Sequence, residues 1–202
     1  MSTRTVPWHA VFGNDHPVEV EIGPGRGEVL LTFAARAPET NFFAIERSGG
    51  GAAAIMAKAA RRRLGNVRVV AGDARCIVAR LVPDASVAAY HAYFPDPWPK
   101  NRHRDRRLAG DGFARHLART LAPGGAIHVA SDLPAVLAAL VRHLARVGLV
   151  PMPGATAPPR PTTSFERRYA GGGTHYACFA RVPAGEAGLR LPRCDGTADG
   201  AI

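Results

Sequence analysis

Strand and helix patterns alternate along this chain, and the alternation restricts its fold more than any other feature. Short runs of β-branched and aromatic residues are followed, five times, by longer runs in which apolar residues recur with helical spacing. The predicted strands span residues 18–22, 41–45, 67–71, 87–93 and 126–130. This order predicts an α/β fold with a doubly wound, mostly parallel sheet that carries helices on both faces.

The other segments set the predicted limits of the domain. Helices are predicted at 28–37, 52–64, 74–81, 111–121 and 134–147, and further strands at 148–152 and 174–182. Residues 1–17 are predicted to form a loosely packed N-terminal arm, and residues 18–182 the domain itself. Residues 183–202 are rich in Gly, Pro and Ala, and we expect this tail to be disordered.

Acidic residues stand at or just after the carboxyl ends of the predicted strands: Glu21, Glu46, Asp73, Asp96 and Asp132. Doubly wound sheets bind ligands beyond these ends, near the reversal of strand order. We therefore expect the five carboxylates to converge on one site. The alternatives are structural: Glu21 and Glu46 as anions that helix dipoles favour, and Asp73 and Asp132 as helix caps.

The first strand leads into a glycine-rich loop, with Gly23, Gly25 and Gly27 at alternate positions. A dinucleotide-binding loop would have its third glycine at position 28, which is Glu28, and a carboxylate there repels a pyrophosphate. A net-cationic ligand fits better. S-adenosylmethionine carries a sulfonium and an ammonium group, and its ribose and adenine suit Glu46 and the Asp73–Ala74 pair.

The stretch FPDPWPK at residues 94–100 cannot form a helix or a central strand, because prolines remove backbone donors at alternate positions. Residues that precede proline are pushed to extended geometry. Asp96 is therefore held on a stiff backbone, as a catalytic group requires. The alternative is a Pro-rich surface connection. Trp98 suits either stacking on a base or packing of the loop.

A basic run follows this loop and includes Lys100, Arg102, Arg106 and Arg107. The whole chain has a formal net charge of +10, which favours an acidic partner such as nucleic acid. Arginine enrichment from a biased genome and a solvated charged face are the alternatives.

The three cysteines lie far apart, without a C-x-x-C pair, which argues against a zinc ribbon and against a disulfide framework. We expect no metal, no membrane segment and a location in the reducing cytoplasm.

Together these motifs resemble those of the bacterial tRNA (guanine-N7-)-methyltransferases. The resemblance covers residues 18–182 and rests on EIGPGRG at 21–27, Glu46, Asp73–Ala74, FPDPWPKNRH at 94–103, RRL at 106–108 and TSFER at 163–167. It implies a Rossmann-like fold with seven strands, the last antiparallel. It also implies S-adenosylmethionine as cofactor and tRNA as partner, with methylation at N7 of a variable-loop guanine, by a monomer or homodimer.

The resemblance further implies roles for single residues. Glu21, Glu46, Asp73 and Asp96 would bind the cofactor, and Asp96 would be catalytic; Lys100, Asp132, Thr163, Phe165 and Glu166 would face the substrate. Two alternatives stay open: a methyltransferase of the same fold for another RNA or a small molecule, and a non-catalytic RNA-binding module.

Overall fold

The computed structural model describes residues 5–95, 110–169 and 173–182, and these contain a seven-stranded sheet. In chain order the strands are β1 (Val18–Ile22), β2 (Asn41–Glu46), β3 (Val67–Ala71), β4 (Val87–Tyr93), β5 (Leu121–Ser131), β6 (Val150–Pro151) and β7 (His175–Ala180). Their order across the sheet is β3-β2-β1-β4-β5-β7-β6. The pairs from β3 to β5 are parallel, whereas β7 runs antiparallel to both neighbours. The predicted fold class is thus confirmed.

Seven helices lie in the described ranges: α1 (Trp8–Phe12), α2 (Glu28–Arg36), α3 (Gly49–Arg61), α4 (Ala74–Arg80), α5 (Asp111–Thr120), α6 (Pro134–Arg146) and α7 (Ser164–Tyr169). Successive residues of β2 point to opposite faces of the sheet. Phe42 therefore packs in a cluster with α2 and α3, while Ile45 packs in a larger cluster with α1, α4, α5 and α6. Helices cover both faces, as the alternation predicts.

The start of α3 differs from the prediction. The sequence places it at residue 52, after three glycines, but the helix begins at Gly49 because the Ser48 hydroxyl accepts a hydrogen bond from the Gly51 amide at 3.2 Å. Gly51 also permits a close approach: a Cβ there would lie 3.1 Å from Cγ of Glu46.

The start of β5 also differs. The Pro-Gly-Gly sequence at 123–125 is predicted to precede this strand, yet β5 already begins at Leu121 and continues through it, with a register shift between Val87 and Ala89 of β4. A Cβ on Gly125 would lie 2.8 Å from the Ala88 carbonyl oxygen, so glycine allows the two strands to stay close.

The described part of the N-terminal arm, residues 5–17, contains the packed helix α1, which contradicts the expectation of a loose segment. Phe12 of α1 is a core residue, and Trp8 packs against Phe43 with ring centroids 5.1 Å apart. The Trp8 indole also donates a hydrogen bond to the Ser86 hydroxyl at 3.0 Å. Within the described ranges, none of the helices is long and apolar enough to cross a membrane.

This packing can be tested with Phe12→Ala. Because Phe12 is 9% exposed and its ring lies under the Arg68 guanidinium at 5.3 Å, we expect unfolding in urea to show a loss of about 3 kcal/mol. Val6→Ala, at a residue that is 39% exposed, is the control and should change the free energy of unfolding by less than about 0.5 kcal/mol. Equal effects of the two substitutions would mean that α1 is not part of the core.

Candidate active site at the carboxyl edge of the sheet

A cavity of about 370 Å³ opens at the carboxyl ends of β1 to β4. Its walls come from the glycine loop after β1, the end of β2, the turn before α4, residues 93–95 after β4, and the first residues of α7. This volume lies within the range of about 300–1,000 Å³ that is usual for small-molecule sites. The cavity lies where strand order reverses between β1 and β4, as expected for a doubly wound sheet.

Many of the predicted cofactor and substrate residues line this cavity: Glu21, Gly23, Gly25, Glu46, Asp73, Ala74, Thr163 and Phe165. Gly27, Asp132 and Glu166 are not among the lining residues. Asp96, Lys100, Arg102, Arg106 and Arg107 lie outside the described residues. The convergence of carboxylates thus holds for the ends of β1, β2 and β3.

The glycine loop depends on backbone geometry that side chains rarely allow. Gly23, Gly25 and Gly27 have φ values of 68°, 56° and 75°. At Gly27 space is also limited, since a Cβ would lie 2.9 Å from Cγ2 of Ile55 on α3. Gly27 therefore allows α2 and α3 to pack together, whereas Gly23 and Gly25 expose backbone to the cavity.

Glu21 is a buried carboxyl group in the cavity wall, only 6% exposed. Burial raises the pKa of Glu21 to about 8, although a hydrogen bond from the Leu30 amide and the charge of Arg160 oppose the rise. Without a ligand, Glu21 is therefore mainly protonated at neutral pH. A cation bound beside it would stabilise the carboxylate and drive the proton off.

Asp73 and Glu46 are held in fixed orientations at the other side of the cavity. Asp73 caps α4 by accepting the Arg75 amide at 2.9 Å, so the capping alternative is correct, and Asp73 also lines the cavity. Hydrogen bonds from the Arg75 guanidinium lower the pKa of Asp73 to about 2. Glu46 accepts the Ser48 amide at 2.9 Å, which fixes its carboxylate at the end of β2.

Helix α7 covers part of the cavity although it has no buried residue of its own. Glu28, at the start of α2, accepts the Ser164 amide at 2.5 Å and the Arg167 guanidinium at 2.7 Å. Burial alone would raise the pKa of Glu28, but these hydrogen bonds outweigh it and hold the pKa below its ordinary value. The sequence indicates Glu28 only as a group that repels phosphate, and its role as an anchor is visible only in the structure.

A second anchor joins α7 to β4 through Arg160, a residue that no sequence motif indicates. Its guanidinium donates to both carboxylate oxygens of Glu166 at 2.6 and 2.7 Å, and it lies 4.8 Å from the ring centroid of Tyr93 and 5.5 Å from that of Phe94. The side chains of Arg160 and Glu166 are 8% and 10% exposed. The Nε atom of Arg160 is buried and has no hydrogen-bond partner in the described part of the chain.

Both carboxylate oxygens of Glu166 accept hydrogen bonds from Arg160. Burial would raise the pKa of Glu166, but the Arg160 pair and hydrogen bonds from the Thr163 amide and hydroxyl lower it to about 2. In this conformation the carboxylate fixes α7, and the predicted contact with a guanine stays a prediction.

Asp132 follows β5 and is half-buried. The alternative that it caps α6 is wrong, because α6 starts without a side-chain cap and the Ser131 hydroxyl instead accepts the Leu133 amide at 3.1 Å.

Phe94 contradicts the local rule that residues before proline are extended. Its φ is 52°, in the left-handed region that bulky residues rarely adopt. The Phe94 amide donates to the Ala130 carbonyl at 2.7 Å, so pairing with β5 supports this unusual geometry. Strained residues of this kind are concentrated at functional sites, and Phe94 lines the cavity directly before Pro95 and Asp96.

Comparison with known proteins points to one family. A family described as "Putative methyltransferase" matches residues 15–177. The tRNA (guanine-N(7)-)-methyltransferase of Sodalis glossinidius is 41% identical over 169 residues, which are 79% of this chain and 69% of that protein. Its counterpart from Vibrio vulnificus is 37% identical over 176 residues, or 82% and 72% of the two chains. The counterpart from Psychromonas ingrahamii is 40% identical over 129 residues, so that the match spans about half (53%) of that relative.

Solved structures with the same fold are more distant in sequence. The 16S rRNA methyltransferase KamB superposes with a TM-score of 0.62 at 17% identity, covering 87% of this chain and 93% of that one. The aminoglycoside resistance methyltransferase NpmB1 gives 0.59 at 16% identity, with 84% and 89% covered. At these identities the superpositions establish the fold alone.

The buried state of Glu21 can be tested by the pH dependence of stability. Its pKa in the folded chain, about 8, is above the ordinary 4.5, so its contribution to stability is complete below pH 4.5 and is lost as pH rises through 8. The difference in free energy of unfolding between wild type and Glu21→Gln should therefore shift in favour of the variant from pH 5 to pH 9. Asp15→Asn, at an exposed carboxyl group, is the control and should follow the wild type. A constant difference for Glu21→Gln would refute the raised pKa.

The second anchor can be tested with Glu166→Gln. This change leaves the Arg160 guanidinium buried without its anion, at a cost of about 3 kcal/mol to the closed position of α7. Amide hydrogen exchange in α7 should become roughly a hundredfold faster, while exchange in β1 and β4 stays unchanged. Arg168→Gln, at an exposed guanidinium, is the control. Unchanged exchange in α7 of Glu166→Gln would show that Arg160 does not hold the helix.

Proposed function

The chain belongs to the family of tRNA (guanine-N7-)-methyltransferases, and on that premise we propose that it transfers a methyl group from S-adenosylmethionine to N7 of the variable-loop guanine of tRNA. The observation that carries the proposal is the cavity at the reversal of strand order, lined by Glu21, Glu46 and Asp73. A site with three carboxylates suits a ligand that is cationic at its reactive centre.

The residues present fit S-adenosylmethionine in chemistry and in size. Bare backbone at Gly23 and Gly25 allows close approach of the ligand. Glu46, at the end of β2, is suited to accept hydrogen bonds from ribose hydroxyls. Glu21 faces the same cavity and would become anionic beside a positive group. Asp73 and Ala74 are suited to the adenine. When bound, this cofactor supplies an electrophilic methyl group on a sulfonium sulfur.

The reaction demands little proton transfer. Guanine N7 carries a free lone pair, so the base needs no deprotonation before it accepts the methyl group. What the chain must supply is in-line alignment, exclusion of water and stabilisation of the positive charge that develops on the purine. Thr163, just before α7, and Phe165 of α7 are held over the cavity by the Glu28 and Arg160 anchors and would exclude water from this space.

Asp96 is the proposed catalytic carboxylate. It comes directly after Phe94 and Pro95, which line the cavity. A carboxylate there would accept hydrogen bonds from the guanine N1–H and amino group and stabilise the developing charge.

Contacts to the substrate are proposed on both sides of the site. Lys100, Arg102, Arg106 and Arg107 would bind tRNA phosphates, while Asp132, Thr163, Phe165 and Glu166 would border the guanine. Phosphate contacts make affinity depend on salt. Cytoplasmic location and a monomeric or homodimeric state stay predictions.

The test is methyl transfer from labelled S-adenosylmethionine to unmodified tRNA transcripts, followed by borohydride–aniline cleavage at N7-methylguanosine. We expect one cleavage, in the variable loop. Asp96→Ala should lose at least about a hundredfold in kcat while tRNA affinity is retained, because electrostatic stabilisation of a transition state accounts for effects of this order. The double substitution of Arg106 and Arg107 by alanine should weaken tRNA binding and reduce its salt dependence.

Transfer to a different RNA would replace tRNA as the substrate in this proposal. Absence of saturable S-adenosylmethionine binding would refute the enzymatic function itself. Normal turnover by Asp96→Ala would remove this residue from the mechanism.

A further inference from the structure

Three aromatic rings form a continuous line that starts in the cavity and ends on the surface of α7. Phe94 contacts Phe165 with ring centroids 5.1 Å apart and planes inclined by 36°. Phe165 in turn contacts Tyr169, one helical turn further on, with centroids also 5.1 Å apart and planes inclined by 44°. Phe94 and Phe165 line the cavity, whereas Tyr169 is not among the lining residues. The line therefore leads outward from the site.

The outer two rings are exposed although they are large and apolar. Phe165 is 39% exposed and Tyr169 is 59% exposed. Since α7 has no buried residue, these rings do not serve to anchor the helix in the hydrophobic core. The ion pairs of Glu28 and Arg160 hold the helix instead, and the surface formed by Phe165 and Tyr169 is left open to solvent.

The charge beside this surface is positive. The Arg168 guanidinium lies 5.9 Å from the ring centroid of Tyr169 and is exposed, and no carboxylate pairs with it among the residues that the structure describes. The acidic residue of α7, Glu166, is neutralised by Arg160. An exposed aromatic face with an adjacent arginine matches the way proteins bind single-stranded nucleic acid, with bases stacked on rings and phosphates paired with cations.

We propose that Tyr169 stacks on the base of a nucleotide that flanks the methylated guanine, with Arg168 at the adjoining phosphate. The proposal rests on the function proposed above, and it assigns a substrate-positioning role to a residue outside the cavity. The tilted Phe165 ring would separate the guanine in the cavity from the flanking base on Tyr169. A nucleotide held in this way keeps the RNA strand splayed open, as recognition of an unpaired base requires.

The test compares the affinity of variants for a labelled, unmodified tRNA transcript over a range of salt concentrations. Tyr169→Ala should weaken binding by about fivefold to a hundredfold, the range that base–aromatic stacking supports, and Tyr169→Phe should stay within about twofold of wild type. Tyr169→Leu keeps apolar area but not the aromatic face, and it should resemble the alanine variant. Leu81→Ala, at a residue that follows α4 directly and is 40% exposed, is the control for loss of an exposed apolar side chain.

The salt dependence of tRNA affinity distinguishes the contribution of base stacking from that of phosphate contacts. Tyr169→Ala should lower affinity without changing the slope of log Kd against log salt, because stacking releases no counterions. Arg168→Ala should reduce that slope by about one. In turnover assays Tyr169→Ala should raise KM for tRNA far more than it lowers kcat.

The flanking base itself can be removed from the substrate. With tRNAs that lack the base on the 5′ or the 3′ side of the target guanine, the penalty of Tyr169→Ala should disappear for one of the two. The proposal would be overturned if the penalty of Tyr169→Ala were the same with both of these tRNAs. It would also be overturned if Tyr169→Ala or Tyr169→Leu bound intact tRNA with the affinity of the wild type.

The outcomes also separate this proposal from the proposed function. Methylation of the expected guanine with no effect of Tyr169→Ala would refute the stacking alone. Binding of tRNA that depends on Tyr169, without methyl transfer, would refute the proposed methyltransferase activity and would still support the proposed RNA-binding surface. A Tyr169→Ala variant that turns a dimer into a monomer in sedimentation, with unchanged tRNA affinity, would show that a second copy of the chain covers this face.

Discussion

Reversal of strand order beside β1 is the constraint on which the site depends. From β1 the sheet continues outward through β2 and β3 on one side and through β4 and β5 on the other. The glycine loop after β1 and residues 93–95 at the end of β4 therefore lie on either side of a crevice, which is the cavity of the candidate site. The left-handed glycines after β1 keep its floor bare, while Phe94, in its strained conformation after β4, forms the opposite wall.

Electrostatics decides how this crevice is covered. Helix α7 contributes nothing to the core, so its position depends on two charge-assisted contacts, Glu28 with Arg167 and Arg160 with Glu166. The Arg160–Glu166 pair is nearly buried. The desolvation of such a pair offsets much of its attraction, so we expect it to fix the position of α7 more than to add net stability. A cover held by ion pairs can open without disturbing the sheet, which suits the large substrate proposed for this site.

The sequence predicts the sheet well because buried parallel strands read as short, continuous runs of β-branched residues. Strands β1, β3 and β4 lie at the residues expected from the sequence. The three glycines at the start of α3 were misleading, since the Ser48 cap offsets their low helix propensity. The Glu28 anchor of α7 could not be found from any local pattern, because Ser164 and Glu28 are 136 residues apart in sequence.

The position of β7 between β5 and β6 has a consequence for synthesis of the chain. Strands β1 to β5 can pair in the order in which they leave the ribosome, but β6 must wait for β7, its antiparallel partner, to complete the edge of the sheet. Helix α7 lies just before β7 in the chain, so it too is placed late. A nascent chain therefore forms the floor of its cavity before the segment that covers it has been synthesised.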